Sequence, residues 1–169
     1  MTKEIFLNKK QWKNFTEKEM IIFQESVFNY YRKKGFPYYP TNEVFKKKEY
    51  RKLTNYTEST LLKNKMFQQT MHGLGLAWSY FPHSWEVKCN DLKTPFEVFH
   101  NDDDFKKVIN KRILYGDNIS DSGIRKTLRV YTGTQAVSNF KPTTAKTLYN
   151  LFAENGVVYD MSCGFGGRL

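Results

Sequence analysis

Apolar and polar positions follow a helical period over most of the chain. Thr16 and Glu19 form a T-x-x-E pair, in which each side chain satisfies a backbone N–H left free at a helix start. Met20, Phe23, Val27, Tyr30 and Tyr31 then recur at helical spacing, which predicts an amphipathic helix. Lys33 and Lys34 suit its negative C-terminal end, and Gly35 offers a left-handed stop. Pro37 and Pro40 make the following six-residue stretch, GFPYYP, a stiff, extended turn.

Residues 43–53 (EVFKKKEYRKL) read as a short basic helix, and residues 58–71 as another. Paired glycines at Gly73 and Gly75 then disfavour a regular element. Residues 95–100 are apolar but short. Asp102 to Asp104 supply an acidic start for a helix running to about Leu114. Ser120 or Ser122 could cap one across Ile124, Leu128 and Val130. Little within residues 1–130 reads as a sheet. Pro142 suits the first turn of a last helix, where its missing N–H costs nothing. Ala145, Leu148, Tyr149 and Phe152 form that helix's apolar stripe. Asn155-Gly156 turns the chain into a β-prone run, Val157-Val158-Tyr159, with Asp160-Met161-Ser162-Cys163-Gly164-Phe165-Gly166-Gly167 directly behind it.

Composition narrows the class. The chain has 169 residues, 40% hydrophobic and 17% aromatic, enough to bury a core and too apolar for a disordered basic tail. No apolar run approaches the ~20 residues of a membrane span. The start, MTKEIFLNKKQWKNF, lacks a signal peptide's apolar stretch, so a soluble cytoplasmic protein with no membrane partner is the expectation. Cys89 and Cys163 are the two cysteines and point to reduced thiols. His72, His83, Cys89 and His100 match no compact metal-ligand spacing, so no metal site is assigned.

Charge adds a partner. There are 27 Lys and Arg against 17 Asp and Glu, a net of +10, which favours nucleic acid. The excess sits in residues 1–60 (net +6) and 111–130 (net +3). Lys46, Lys47, Lys48, Arg51 and Lys52 are the best phosphate contacts, with Arg125, Lys126 and Arg129 a weaker second patch. A solvated helix face is the bland alternative for the first patch. The tyrosine pairs at 30–31 and 38–39 suit core and hinge packing better than base stacking.

A glycine-rich loop leaving a strand lets the backbone approach a ligand closely. Neither a phosphate-binding Walker A loop nor a dinucleotide fingerprint explains an aspartate at the strand end, four residues ahead of the first glycine. Residues 157–166 (VVYDMSCGFG) resemble the first motif of class I S-adenosylmethionine-dependent methyltransferases, a hydrophobic strand followed by D-x-x-x-G-x-G. The amino-methylating DNA methyltransferases are the nearest type; Met161 stands where they usually carry proline. Asn139-Phe140-Lys141-Pro142-Thr143 is similar to the motif ahead of their first strand. The resemblance implies that Asp160 sits near the cofactor's methionine amino group. It implies that Gly164 and Gly166 let the backbone reach the cofactor, with Ser162, Cys163 and Phe165 lining the same loop. Phe140, Pro142 and Thr143 would lie beside the methionine moiety.

Family members that methylate an exocyclic amine use a [DNS]-P-P-[YFW] catalytic loop, and this chain has no Pro-Pro pair. No catalytic residue is therefore assigned. The expected architecture is a mainly α N-terminal accessory region, residues 1–137, a candidate for DNA contact. The first helix, strand and glycine loop of an incomplete α/β Rossmann-like domain follow at 138–169. The expected function is the N-terminal part of an adenine-N6 or cytosine-N4 DNA methyltransferase, not competent alone. The rest of its domain would come in cis or in trans. The alternative is a non-enzymatic helical nucleic-acid-binding protein whose glycine loop is incidental.

Overall fold

Local capping signals decide where most helices begin. A computed structural model describes residues 6–57, 62–63, 66–67, 70–153, 156–161 and 164. Helix α1, Glu17–Lys34, starts at Thr16, whose N–H donates to Glu19 Oε2 at 2.8 Å, and ends at Gly35 with φ +87°. Helix α2, Glu43–Thr54, starts where Asn42 Oδ1 accepts the Phe45 N–H at 2.8 Å. Helix α3 is Leu74–Tyr80 and α4 is Pro95–His100, the latter with a Thr94–Glu97 capping box. Helix α5, Asp102–Tyr115, is capped by Asn101, and α6, Asp121–Arg129, by Ser120. Helix α7, Pro142–Phe152, has proline in its first turn. Two short 3-10 helices, Lys9–Gln11 and Pro82–Trp85, and four two-residue strands complete the described elements. β1 (Leu7–Asn8) pairs antiparallel with β4 (Asn118–Ile119), and β2 (Leu62–Lys63) with β3 (Met66–Phe67). The fold is mainly helical.

Four expectations are corrected. The apolar spacing across 58–71 predicts a helix, but among the residues described there Leu62 pairs antiparallel with Phe67 and Lys63 with Met66. Short apolar runs fit either period, and cross-strand pairing decides between them. The glycines at 73 and 75 do not prevent a helix, because α3 starts immediately after Gly73. Along α7, Pro142, Thr143, Ala145 and Thr147 are buried, whereas Phe152, placed on the expected stripe, is 82% exposed. Nor do Val157 to Tyr159 form a strand ladder. One strand covers neither of its own faces and needs neighbours before a sheet can exist. The α/β part of the expected fold is not formed among the described residues.

The chain divides into two units, each discontinuous in sequence. The first takes residues up to Tyr38 and from His83 to Val137. There α5 packs against α1, α4 and α6, and α4 also packs against α6. Its core includes Tyr31, Val98, Phe99, Phe105, Val108, Ile109, Ile124 and Leu128, all at most 1% exposed. The Arg32 guanidinium lies 4.6 Å from the Phe28 ring centroid and 4.9 Å from that of Phe105, and donates to the Phe99 carbonyl at 2.7 Å. Between α1 and α6 sits a largely buried ion pair. Lys34 Nζ reaches both Asp121 oxygens, at 2.7 and 2.5 Å, and the Tyr31 hydroxyl donates to Asp121 Oδ1 at 3.2 Å. Burial, reinforced by the Asp121 carboxylate, pushes the Tyr31 phenol well above its ordinary range.

The second unit takes Tyr39–Pro82 and the residues from Ser138 onward. Here α2 packs on α3, with the Tyr39 and Trp78 rings 5.4 Å apart. The end of α2 is fastened by α7. Lys146 Nζ donates to the carbonyls of Leu53, Thr54 and Tyr56 at 2.8 to 3.0 Å. Two of these carbonyls belong to the last turn of α2, where a helix leaves acceptors to be met by groups from elsewhere. Thr143, fully buried, shares a hydrogen bond with Thr70 at 3.1 Å.

The capping carboxylates set an acid limit on stability. The Thr16 and Thr94 backbone N–H groups hold Glu19 and Glu97 below the ordinary carboxylate range. A folded value below the unfolded one stabilises above the unfolded pKa of about 4.3 and is lost as pH falls through the folded value. Melting temperature is therefore expected to fall as pH drops below about 4.3. Changing both glutamates to Gln keeps a side-chain acceptor but removes the charge, and flattens that fall. An unchanged acid slope in melts followed by circular dichroism would remove these caps from the explanation.

Candidate nucleic-acid and cofactor sites

Helix α2 presents most of the first basic patch, but its five cations are not equivalent. Lys46 pairs with Glu43 at 3.2 Å and lies 4.0 Å from the Tyr80 ring centroid; its side chain is only 15% exposed. Lys52 Nζ is 2.5 Å from Glu49, a carboxylate turned inward and 9% exposed. Lys47, Lys48 and Arg51 are exposed and appear in no ion pair among the described residues. They share an open depression with Val44, Lys52 and Asn55.

The second patch comes apart. Arg125 is buried at 8% exposure and donates to the Pro37 carbonyl at 2.7 Å, so its guanidinium holds the first unit together and is turned away from solvent. Arg129 is half-buried, within 6.0 Å of the Trp85 ring centroid and 3.5 Å from the Val137 carbonyl. Lys126 alone of the three is exposed. It borders a depression with Arg112, Asn118 and Ser122, residues the charge pattern did not single out. Arg112 Nε donates to the Asn118 carbonyl at 2.6 Å, and burial lowers its pKa.

The cofactor segment is placed as follows. Phe140 is 42% exposed, Pro142 is buried at the start of α7, and Thr143 is fully enclosed. Asp160 is half-buried, and Gly164 is exposed at φ +59°, with open space where a Cβ would stand. Ser162, Cys163, Phe165 and Gly166 lie outside the described residues. Val157, Val158 and Tyr159 are 100%, 44% and 84% exposed. Of the expected cofactor-binding residues, then, Phe140, Asp160 and Gly164 reach the surface, whereas Pro142 and Thr143 serve the packing of the second unit.

Two residues that organise this unit escaped sequence reasoning. Lys146 reads as an ordinary helix-surface cation, and its three carbonyl acceptors lie 90 to 93 positions upstream. Gly73, with φ +84°, lies against the Pro142 ring. No signal within a few residues of either position announces the role. No helix among the described residues is long and apolar enough to cross a membrane. Compared with known proteins, the chain matches no family model, no curated protein sequence and no solved structure.

Proposed function

We propose that this chain is the N-terminal part of an S-adenosylmethionine-dependent DNA methyltransferase acting on adenine N6 or cytosine N4, and is not competent alone. One observation carries the reading. A proline-started helix leads into three consecutive apolar residues left open to solvent, then Asp160, then a glycine in the left-handed region. Consecutive apolar residues suit a strand covered on both faces, as in a parallel sheet. Neighbouring strands supplied by a further segment of polypeptide would cover Val157 and Tyr159 together. The open backbone at Gly164 suits close approach of a ligand, and the Asp160 carboxylate complements an ammonium group such as that of the cofactor's methionine. Residues 6–137 contribute no part of the transfer step in this reading.

The coding DNA beyond codon 169 tests the proposal. Alternating strands and helices with a [DNS]-P-P-[YFW] tetrapeptide are expected, in the same frame or in an adjacent one. A stop codon with no such frame nearby overturns it. In the complete polypeptide, Asp160→Ala should weaken S-adenosylmethionine binding roughly ten- to a hundred-fold by calorimetry, the loss of a hydrogen bond between charged groups. An unchanged affinity would remove Asp160 from the cofactor site.

A further inference from the structure

We propose that the exposed stripe of α2 carrying Lys47, Lys48 and Arg51 is a docking surface for the phosphate backbone of a nucleic-acid duplex. At 3.6 residues per turn, Val44, Lys47, Lys48, Arg51 and Asn55 fall within an arc of about 100°. All five are exposed, and the stripe they form contains three cations and no acid. α2 holds two glutamates, and both are engaged elsewhere: Glu43 with Lys46, and Glu49, turned inward, with Lys52. Glu49 can turn inward because Gly75 has no side chain. A Cβ on Gly75 would stand 3.2 Å from Glu49 Oε2 and 3.3 Å from the Tyr39 ring. The helix therefore sorts its charges, with neutralised pairs on its flanks and uncompensated cations along its outer face.

The chemistry of the stripe selects the partner. Lysine and arginine without an apolar surround suit phosphates, whose neutralisation releases counterions and gives affinity without reading sequence. A membrane surface asks for a broad apolar face beside the cations, and on the stripe only Val44 is apolar. A single strand asks for successive aromatic platforms; Tyr50, 58% exposed, is the one exposed aromatic side chain on α2. The formal charge of +10 adds long-range attraction for the same polyanion. This surface stands whether or not the chain takes part in methyl transfer.

Fluorescence anisotropy with a labelled 20-base-pair DNA duplex, using the full chain without cofactor, tests the inference. Observed affinity should fall steeply with salt. The triple variant Lys47→Gln, Lys48→Gln, Arg51→Gln should reduce the slope of log affinity against log salt by about 3, one unit per lost phosphate contact. Lys46→Gln removes the same charge from the same helix but from inside an ion pair, and should leave the slope essentially unchanged. An RNA duplex of equal length should show the same dependence on the three residues, as expected for backbone contact. Because all three side chains are exposed, an unchanged circular dichroism spectrum is expected of the triple variant. Equal effects of Lys46→Gln and of each stripe variant would reduce the surface to net charge and overturn the proposal. So would duplex binding insensitive to the triple variant, or binding only to phosphatidylserine vesicles, or no binding at low salt.

Discussion

Replacing Gly73 with alanine lowers the stability of the unit containing α2, α3 and α7 by about 3 kcal/mol, from two additive causes. The backbone at Gly73 has φ +84°, a left-handed conformation that costs a residue with a Cβ about 1–2 kcal/mol. The new methyl would then stand 2.8 Å from Pro142 Cβ, 3.0 Å from Pro142 Cγ and 3.3 Å from Leu53 Cδ1. A pyrrolidine ring at the start of a helix has little freedom to withdraw, and forcing a methyl into such a site costs about 1–3 kcal/mol. Gly133 supplies the control. It has a similar φ of +78° but nothing within 4 Å of its would-be Cβ, so Gly133→Ala should show the conformational cost alone. Urea unfolding of both variants separates the two contributions. Equal losses would mean that the contact with Pro142 carries no weight.

Asp121→Ala is expected to cost the other unit about 3–5 kcal/mol, the usual consequence of leaving one buried charge without its partner. Lys34 would keep its ammonium in a site where its side chain is only 16% exposed. The Tyr31 hydroxyl would lose its acceptor in a fully buried position. Asp121 also opens α6, where a negative charge complements the helix dipole. The variant Lys34→Met, Asp121→Leu removes both charges and should recover most of the loss, since apolar replacements of a buried pair are often neutral. A double-mutant cycle in urea measures this directly. If the two single losses simply add in the double variant, Lys34 and Asp121 do not act as a pair.

Which features could be read in advance follows from how far their causes lie along the chain. The starts of α1 and α6 were legible because Thr16 and Ser120 accept backbone N–H groups three residues on; that of α5 was legible from the acidic run at Asp102, although the side chain that caps it is Asn101. Gly73 was not, because its meaning depends on a proline brought beside it by folding. Arg125 misled for the same reason. Next to Lys126 it reads as a surface charge, yet its acceptor is the carbonyl of Pro37, 88 positions earlier. The basic character of α2 was plain in the sequence. Which of its cations stay out of ion pairs was not, because that depends on the partners Glu43 and Glu49 reach in the folded unit. The cofactor segment was legible as an ordered series of residue types, and the apolar run inside it finds no cover among the described residues.

The alternation of the two units along the chain has a consequence for how the protein is made. Residues 39–82 leave the ribosome well before α7, which supplies Lys146 to carbonyls at the end of α2 and Pro142 to Gly73. Until α7 arrives, α2 and α3 lack the partner that completes their unit, and closing a loop that contains residues 83–137 carries an entropic cost first. Docking of α7 onto α2 is thus a late, long-range event in folding, and α2 with its row of lysines takes its final form only after the last described helix has been made.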